Sequence, residues 1–303
     1  MGYRSKILSP NGKRAIVFNR HEGYTDQPQT IPCGQCRGCR LERSRQWAIR
    51  CIHEASMHEE NCFITLTYKE EKLPEKWHDD EYIKGSLELE DFQKFMKRLR
   101  KKYAPRKIRF FHCGEYGEHF SRPHYHACLF GFDFPDKKLW TVKHGNRLFT
   151  SATLDDLWNN QGYSLIGDVT FESAAYVARY VLKKVNGDRQ EEHYQGKKPE
   201  YVTMSRKPGI GHEYYKKYGY QIYGRDEVII NGKPCKPPKF YDSRYAEEEP
   251  ELFKSVQIKR EIAYEDSPDF DNYRRLAVKE KIAHLNSKKQ ERNYENEDIR
   301  NIR

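Results

Sequence analysis

The sequence predicts an α+β protein with a central antiparallel sheet flanked by helices. From about residue 60, strand and helix patterns alternate in the order β-α-β-β-α-β-α. Only a short loop joins the second and third strands, which favours antiparallel pairing because parallel strands need a long crossover. The ends of the chain are polar or charged. We therefore predict an N-terminal arm over 1–59, the α+β domain over 60–240, and a charged tail over 241–303 that is helical or disordered.

The N-terminal elements follow from local patterns. Residues 1–31 are polar and loop-like, with a turn at Asn11-Gly12. After a cysteine cluster comes a basic run in which apolar residues recur on one helix face, at Leu41, Ala48, Ile52 and Ala55. Residues 61–69 are rich in β-branched and aromatic residues, which indicates a strand.

The remaining elements are equally regular. Residues 86–103 predict an amphipathic helix, with an apolar stripe of Leu89, Phe92, Met96, Leu99 and Tyr103. Residues 107–117 and 122–134 predict the second and third strands. A short helix over 152–162, a strand over 164–171 and a helix over 172–187 follow, the last closed by Asn186-Gly187. After residue 187 the composition becomes looser and rich in Tyr, Lys and Gly.

The composition favours a polyanionic partner. Of the 303 residues, 37% are hydrophobic, 33% are charged and 14% are aromatic, and the formal net charge is +10 with a pI near 9.0. Lysine and arginine attract phosphate, and aromatic rings can stack on bases. No apolar run approaches a membrane span, and no apolar signal segment begins the chain. We therefore expect no membrane partner, a reducing cytoplasm and reduced cysteines.

Two histidines on the third strand suggest a metal site. His124 and His126 are two residues apart, so their imidazoles point to one face of the sheet, and Tyr125 points to the opposite face and packs there. If the second and third strands form a hairpin, Glu115 comes alongside the histidines. The carboxylate permits Mg²⁺ or Mn²⁺, and the imidazoles favour Mn²⁺ or a later metal. The alternative is a pair of ordinary polar residues on a half-solvated sheet.

A helix soon after this strand carries two tyrosines. Tyr176 and Tyr180 are four residues apart and share a helix face, which Lys183 also joins, with Lys184 beside it. Tyrosine at this spacing is usually a packing residue. Tyr214 and Tyr218 have the same spacing, but they lie in the Gly- and Lys-rich stretch. We therefore favour the first pair as functional.

Together these segments resemble the HUH endonucleases, which initiate rolling-circle replication. The resemblance rests on three ordered motifs, FITLTY (63–68), GEYGEHFSRPHYHACLFG (114–131) and YVARYVLKK (176–184). Outside them, PCGQCRGCRLERSRQWAIR and SRKPGIG look like the replication initiation proteins of gokushoviruses, which are small phages. The resemblance covers about residues 32–220 and implies the ferredoxin- or RRM-like HUH fold.

The resemblance also implies a mechanism and partners. A metal ion at His124, His126 and Glu115 binds the scissile phosphate, and Tyr176 or Tyr180 attacks it to leave a 5′-phosphotyrosine and a free 3′-OH. The metal or Lys183 would supply the field that activates the phenol. One tyrosine holds the first 5′ end while the other cuts the regenerated origin, and the released 3′-OH closes a circle. The expected partners are single-stranded origin DNA, a host helicase and the host replication machinery. We expect a monomer in the bacterial cytoplasm.

The cysteine cluster predicts a second metal. Cys33, Cys36 and Cys39 have the spacing C-x-x-C-x-x-C, which suits tetrahedral Zn²⁺. The fourth ligand would come from Cys51, the first choice, or from His53 or Cys62. An iron–sulfur cluster fits less well because the usual nearby fourth cysteine is missing. The alternative is a set of reduced, unliganded cysteines.

Basic residues near the cysteines and the tyrosine helix are the predicted DNA contacts. Bound Zn²⁺ would brace the loop so that arginines face phosphate. The candidates are Arg37, Arg40, Arg43 and Lys184.

Two other functions remain open from the sequence. A non-haem Fe(II) oxygenase also uses two histidines and a carboxylate, but it leaves the tyrosine helix and the basic charge unexplained. An RRM-like binding module would stack bases on the aromatic strand IRFFHC, although the usual glycine and aromatic pattern is missing.

Overall fold

The computed structural model describes eleven stretches of the chain: residues 2–8, 14–29, 32, 34, 36–78, 81–117, 121–143, 145–180, 190–265, 274–282 and 285. The chain divides into two compact units, residues 1–40 and 41–303. The domain boundaries predicted after residues 59 and 240 stay predictions.

The first unit contains a small antiparallel sheet. Its strands are β1 Gly2–Leu8, β2 Arg14–Val17 and β3 Gly23–Gln29, in the order β2-β1-β3. The loop-like state predicted for residues 1–31 is therefore wrong over these three strands. Backbone pairing holds these strands together, and polar side chains give little periodic signal for it. The predicted turn at Asn11-Gly12 lies outside the described residues.

The helices begin at the end of the first unit and recur through the second. They are α1 Arg37–Ala55, α2 Leu89–Lys102, α3 Ala152–Leu157, α4 Phe171–Tyr180, α5 Gln190–Tyr194, α6 His212–Arg225, α7 Lys239–Glu248 and α8 Pro250–Glu265. Residues 274–282 are also helical. None of the described helices is long and apolar enough to cross a membrane.

The second unit is built on a seven-stranded antiparallel sheet. Its order is β12-β7-β8-β4-β11-β10-β9. The strands of this unit are β4 Asn61–Thr67, β5 Glu75–His78, β6 Glu81–Lys84, β7 Arg109–Tyr116, β8 Pro123–Phe130, β9 Lys138–Lys143, β10 Asn146–Thr150, β11 Ser164–Gly167, β12 Tyr201–Met204, β13 Val228–Ile230 and β14 Lys233–Cys235. The predicted α+β class with a central antiparallel sheet is confirmed. Pairs β5–β6 and β13–β14 form separate ribbons.

Residues alternate between the two faces of the sheet, and different helices cover each face. One face buries Ile64, Leu66, Tyr125 and Leu129 with α2 and α3. The predicted stripe of α2 is buried at Phe92, Met96 and Leu99, with Phe95 added and Tyr103 only partly buried. Each such side chain contributes about 1.5–3 kcal/mol when fully buried. These contacts hold the central strands β7, β8 and β4 rigid.

Tyr125 confirms the predicted direction of the side chains on β8. Its hydroxyl lies 3.0 Å from the hydroxyl of Tyr68 and accepts a 2.7 Å hydrogen bond from the backbone nitrogen of Glu88. Burial raises the pKa of Tyr125 well above its ordinary value. The neighbouring histidines are therefore on the opposite face, which α1 and α4 cover.

The helix pattern predicted for α1 is only partly right. Ala48 is buried and Ile52 is partly buried, but Leu41 is exposed. Trp47 supplies the contact to the sheet instead, because its indole stacks on Phe111 of β7 at 4.8 Å. Side chains of an amphipathic helix can be assigned to a face from sequence, but the arc that meets the sheet depends on tertiary packing.

A third cluster lies beyond α1. Helices α6, α7 and α8 bury tyrosines there, with Tyr223 stacked on Tyr245 at 4.0 Å. Arg260 of α8 pairs with Asp226 at 2.5 Å and with Asp242 at 2.9 Å. The segment after residue 187, which shows no clear pattern in sequence, therefore contains regular helices. Rings can form a core without a strong aliphatic pattern.

Candidate active site

The β7–β8 hairpin brings a carboxylate and two imidazoles to one face of the sheet. Glu115 is directly opposite His124 in the register, and Cys113 is opposite His126. The two imidazole centroids are 6.5 Å apart, and the ring planes differ by 11°. The two-residue spacing and the hairpin expected from the sequence therefore produce the predicted juxtaposition.

His126 is held by two polar contacts. Its Nε2 lies 2.7 Å from Oε1 of Glu115, and its Nδ1 lies 3.0 Å from the hydroxyl of Thr65 on the neighbouring strand β4. The ring of Phe63 on the same strand is nearly parallel to the imidazole, and the two ring centroids are 5.7 Å apart. Contacts on both ring nitrogens fix the orientation of the imidazole.

His124 is held differently. Its Nδ1 is buried and has no hydrogen-bond partner. Burial lowers the pKa of His124, and the nearby Glu115 carboxylate opposes that effect. The imidazole is thus kept neutral to a lower pH than usual. An uncharged imidazole with a buried nitrogen is suited to bind a cation.

Gly117 leaves space for His124. A Cβ atom added at Gly117 would lie 2.8 Å from Cε1 and 3.2 Å from Nδ1 of that imidazole. Because real Cβ contacts are not that short, any larger residue would displace the ring. The glycine therefore belongs to the construction of the site.

Tyr176 reaches the same carboxylate from α4. Its hydroxyl donates to Oε1 of Glu115 at 3.3 Å, and its ring meets His126 edge to face at 5.0 Å. Two contacts set α4 in place. Thr170 and Ser173 cap its N-terminus reciprocally, and the Ser44 hydroxyl of α1 donates to the Ala175 carbonyl at 2.9 Å. The phenol oxygen, the carboxylate and the imidazole thus form one polar cluster.

The rest of the predicted tyrosine helix is less completely described. Tyr180 is the last residue of α4, and its side chain lies outside the described residues, as do Lys183 and Lys184. One turn separates Tyr180 from Tyr176 on the helix. The functional roles of Tyr180 and both lysines stay predictions.

The residues around Glu115 fit a divalent cation by their chemistry. Two imidazoles and a carboxylate share a rigid sheet face, and the buried Nδ1 of His124 lacks a partner. As placed, the described side chains include no group of three His, Cys, Asp or Glu residues already gathered for a metal ion. His126 and Glu115 instead hydrogen-bond each other. Ion binding at this cluster stays a prediction.

Two further residues join the site without having been predicted individually. Thr65 lies in the motif FITLTY, and alternation along β4 puts it on the face of the histidines. Gly117 lies in GEYGEHF, where nothing local indicates that its hydrogen faces an imidazole. Alternation was a usable signal for Thr65, whereas Gly117 required the tertiary contact.

The predicted zinc ligands fall in different surroundings. Cys33 lies outside the described residues, Cys36 is exposed and Cys39 is partly buried. Cys51 is buried on α1, where its thiol hydrogen-bonds Cys128 and burial raises its pKa. Of the other fourth-ligand candidates, Cys62 is buried on the opposite face of the sheet, and Nδ1 of His53 lies 2.9 Å from the Tyr241 hydroxyl. Zinc binding stays a prediction.

The arginines of α1 divide into exposed and engaged groups. Arg43 is exposed, Arg40 is partly buried, and the Arg37 side chain lies outside the described residues. The guanidinium carbon of Arg50 lies 4.0 Å from the ring centroid of Trp47 and 4.0 Å from that of Phe240. Burial lowers the pKa of Arg50 to about 10. The DNA contacts predicted for Arg37, Arg40 and Arg43 stay predictions.

Comparison with known proteins now defines the class. A family model described as replication-associated protein ORF2/G2P matches residues 61–185, which include β7, β8 and α4. This range contains Glu115, both histidines and both tyrosines of the first pair. No solved structure matches the chain.

Individual relatives narrow the class to small phages. Replication-associated protein VP4 of Bdellovibrio phage phiMH2K is 35% identical over 268 residues, which cover 80% of each chain. Replication-associated protein ORF2 of Spiroplasma virus 4 is 34% identical over 239 residues, with 76% of this chain and 72% of the relative covered. Replication-associated protein ORF4 of Chlamydia phage 1 is 29% identical over 229 residues, which are 73% of this chain and 55% of that one. The chain belongs to the replication-associated proteins of Microviridae-type phages.

Proposed function

We propose that the protein is a metal-dependent endonuclease and DNA-joining enzyme of the HUH type. It would start rolling-circle replication of a phage genome inside the bacterial host. The observation that carries the proposal is the contact of the Tyr176 hydroxyl and the His126 imidazole with one oxygen of Glu115. A phenol, a carboxylate and an imidazole on a rigid sheet are the groups that a tyrosine-dependent nicking reaction needs.

The cleavage step transfers a phosphoryl group to tyrosine. The Tyr176 oxygen bonds to phosphorus as the bond from phosphorus to the 3′ oxygen breaks. The phenol proton passes to the Glu115 carboxylate, and the departing 3′ oxygen takes a proton from solvent to become a 3′-OH. Phenol has a pKa near 10, so the hydrogen bond to Glu115 both orients the oxygen and offers a proton acceptor.

A divalent cation fits the same cluster. Mg²⁺ or Mn²⁺ held by His124, His126 and Glu115 would neutralise charge on the oxygens of the scissile phosphate. For the chain itself, Thr65 orients His126, and burial keeps His124 uncharged. Both effects prepare nitrogen donors before DNA arrives.

The joining step reverses the first one. The free 3′-OH attacks the phosphotyrosine, the new phosphodiester forms, and the phenol is released. A second tyrosine one helical turn away, Tyr180, allows one covalent end to be held while another strand is cut. The i, i+4 spacing on α4 supports this exchange. Lys183 and Lys184 would follow on the same segment as partners for phosphate.

The N-terminal cysteines complete the proposal. Cys33, Cys36 and Cys39 would bind Zn²⁺, with Cys51 as the first choice of fourth ligand, and Arg37, Arg40 and Arg43 would contact DNA phosphate. A host helicase would dock on the C-terminal region, and the protein would act as a monomer. The zinc and phosphate contacts rest on the cysteine spacing and on the basic sequence of α1.

A binding module without catalysis is less well supported. Such a module would need β7 to offer its rings to bases. Phe111 is fully buried beneath Trp47, and Phe110 is packed against the core under α2. The open stacking surface of that alternative is therefore filled by the protein itself.

The decisive experiment seeks the covalent intermediate. The protein is incubated with single-stranded DNA of its own phage genome and Mn²⁺ or Mg²⁺, with and without chelator, and run under denaturing conditions. We expect a chelator-sensitive adduct, joined to a DNA 5′ end, whose peptide contains Tyr176 or Tyr180. The absence of any adduct with either metal, or its attachment to a tyrosine outside α4, would overturn the proposal.

A further inference from the structure

A basic hairpin forms the far edge of the seven-stranded sheet. It consists of β9 and β10, and β9 is the last strand in the sheet order. Residues 138–150 include Lys138, Lys143 and Arg147 but no aspartate or glutamate. In a chain with 45 acidic residues, an all-basic hairpin is a local concentration of positive charge.

The hairpin is also unusually apolar for an exposed edge. Leu139 is 57% exposed, Trp140 39% and Val142 57%. At the tip, Gly145 has a φ of +82°, and a Cβ atom added there would meet nothing within 4 Å. Aromatic and apolar groups between cations, around an open tip, suit bases and phosphates of a nucleic acid strand.

Edge strands often carry lysine simply to prevent pairing with other sheets. That explanation accounts for Lys138 and Lys143, but an edge protected in this way would not expose Leu139, Trp140 and Val142 on the same strand. Positive charge beside an exposed indole favours a polyanion that also offers flat rings, and a nucleic acid strand has both properties.

We propose that the β9–β10 hairpin is a second DNA-binding element, in which Lys138, Lys143 and Arg147 contact phosphates and Trp140 stacks on a base. The inference rests on the proposed DNA-nicking function and extends it to a surface outside the site. Arg147 also pairs with Asp168 at 3.2 Å, with both side chains well exposed. Such exposed pairs are weak, so phosphate can replace the carboxylate.

The sheet sets the position of this contact along the DNA. Four strand steps separate β8, which carries the histidines, from β9. At about 4.8 Å per step, the hairpin lies about 19 Å from the candidate site. The hairpin would therefore contact DNA several nucleotides from the cut and affect affinity more than chemistry.

The test measures affinity without cleavage. Binding of fluorescein-labelled oligo(dT) is followed in chelator over a series of low to moderate salt concentrations, for the full chain and for K138Q/K143Q/R147Q. Loss of three phosphate contacts should weaken binding by about tenfold or more and reduce the slope of log K against log salt by about two. The matched control, K97Q/K101Q/K102Q, makes the same charge change on exposed positions of α2 and should keep the wild-type slope.

A second pair of variants tests stacking. W140A should weaken oligo(dT) binding several-fold without changing the salt slope, and W140F should restore most of the affinity because a flat ring remains. Once the cut is mapped, the defect of the triple variant should disappear on substrates too short to span about 19 Å from the cut toward the hairpin.

Three results would contradict the hairpin proposal. Wild-type affinity and slope in the triple variant, or failure of the wild-type chain to bind oligo(dT) at low salt, would overturn the proposal. So would a change in oligomeric state by sedimentation with DNA binding intact, because the edge would then be a protein interface. If the wild-type chain forms no adduct but the triple variant still loses affinity, the nicking proposal fails and the hairpin proposal stands.

Discussion

Two tyrosine pairs with the same spacing lie on two helices of this protein. Tyr176 and Tyr180 are on α4, and Tyr214 and Tyr218 are on α6. The first residue of each pair packs against a histidine. Tyr176 meets His126 edge to face at 5.0 Å, whereas Tyr214 stacks flat on His53 at 3.7 Å. Spacing, helix and histidine contact are thus shared by both regions.

The two regions differ in what surrounds the histidine. His126 meets Glu115 at 2.7 Å, and the Tyr176 hydroxyl contacts the same carboxylate. His53 meets the Tyr241 hydroxyl, its Nε2 is buried without a partner, and burial lowers its pKa to about 4. A buried carboxylate next to a phenol provides chemistry, whereas a ring stack provides packing. The residues that contact the tyrosine, and not the spacing of the pair, therefore distinguish a candidate active site from a packed core.

The largest expected effect separates the two pairs directly. Replacing Tyr176 and Tyr180 by phenylalanine should abolish the covalent DNA adduct, because no phenol oxygen remains on α4 to form the bond. The matched variant Y214F/Y218F should form the adduct at close to the wild-type rate. Denaturing gels of radiolabelled DNA measure both. An adduct in Y176F/Y180F, or its loss only in Y214F/Y218F, would reverse the assignment.

The second test removes the carboxylate that distinguishes the regions. Glu115→Gln keeps the size of the side chain but removes the charge and the proton acceptor. We expect the rate of adduct formation to fall roughly 100-fold or more. As a control, E200Q changes a buried glutamate that accepts a hydrogen bond from Tyr194. It should leave the adduct rate unchanged, and equal losses in both variants would indicate a structural effect.

The third test concerns the histidine of the packing region. In the unfolded chain His53 has a pKa near 6.5, and burial lowers it to about 4 in the folded protein. The unfolded state therefore binds more protons between these values, so stability falls as the pH drops from about 6.5 to about 4. The loss from His53 should be about 3 kcal/mol.

Urea unfolding at several pH values measures this loss. The variant H53Q should be less stable at neutral pH but should lose less stability on acidification than the wild type. Other titrating groups contribute to both curves, so the difference between the curves isolates His53. Parallel curves would mean that folding does not lower the pKa of His53.

The smallest effect concerns two glycines. G117A should displace His124 and lower the adduct rate by about tenfold, since a Cβ atom would lie 2.8 Å from the imidazole. G224A adds the same methyl group within α6, where it would meet nothing within 4 Å. We expect it to leave activity unchanged and to stabilise the protein by about 0.5–1 kcal/mol. Equal activity of both variants would remove Gly117 from the site.

Much of the region around the site was predictable because its signals are local. Alternation on β8 predicts the common direction of His124 and His126, and the short loop predicts the hairpin that brings in Glu115. Other parts were not predictable. Residues 2–8, 14–17 and 23–29 form strands without an apolar pattern, and the β9–β10 hairpin went unpredicted. Tyr214 and Tyr218 lie on a regular helix despite their Gly- and Lys-rich surroundings. In each case pairing or ring packing with distant residues outweighs local composition.

Local sequence is enough to predict the α+β class, the faces of the central strands and the family resemblance of the motifs. These depend on periodicity and on residue order, which are properties of neighbouring residues. The contact of Tyr176 with a carboxylate, in contrast, is visible only in the folded chain. Tyr176 is 61 residues from Glu115, and Tyr214 is 161 residues from His53. Sheet register and helix packing set those separations in space, and both depend on contacts between distant segments.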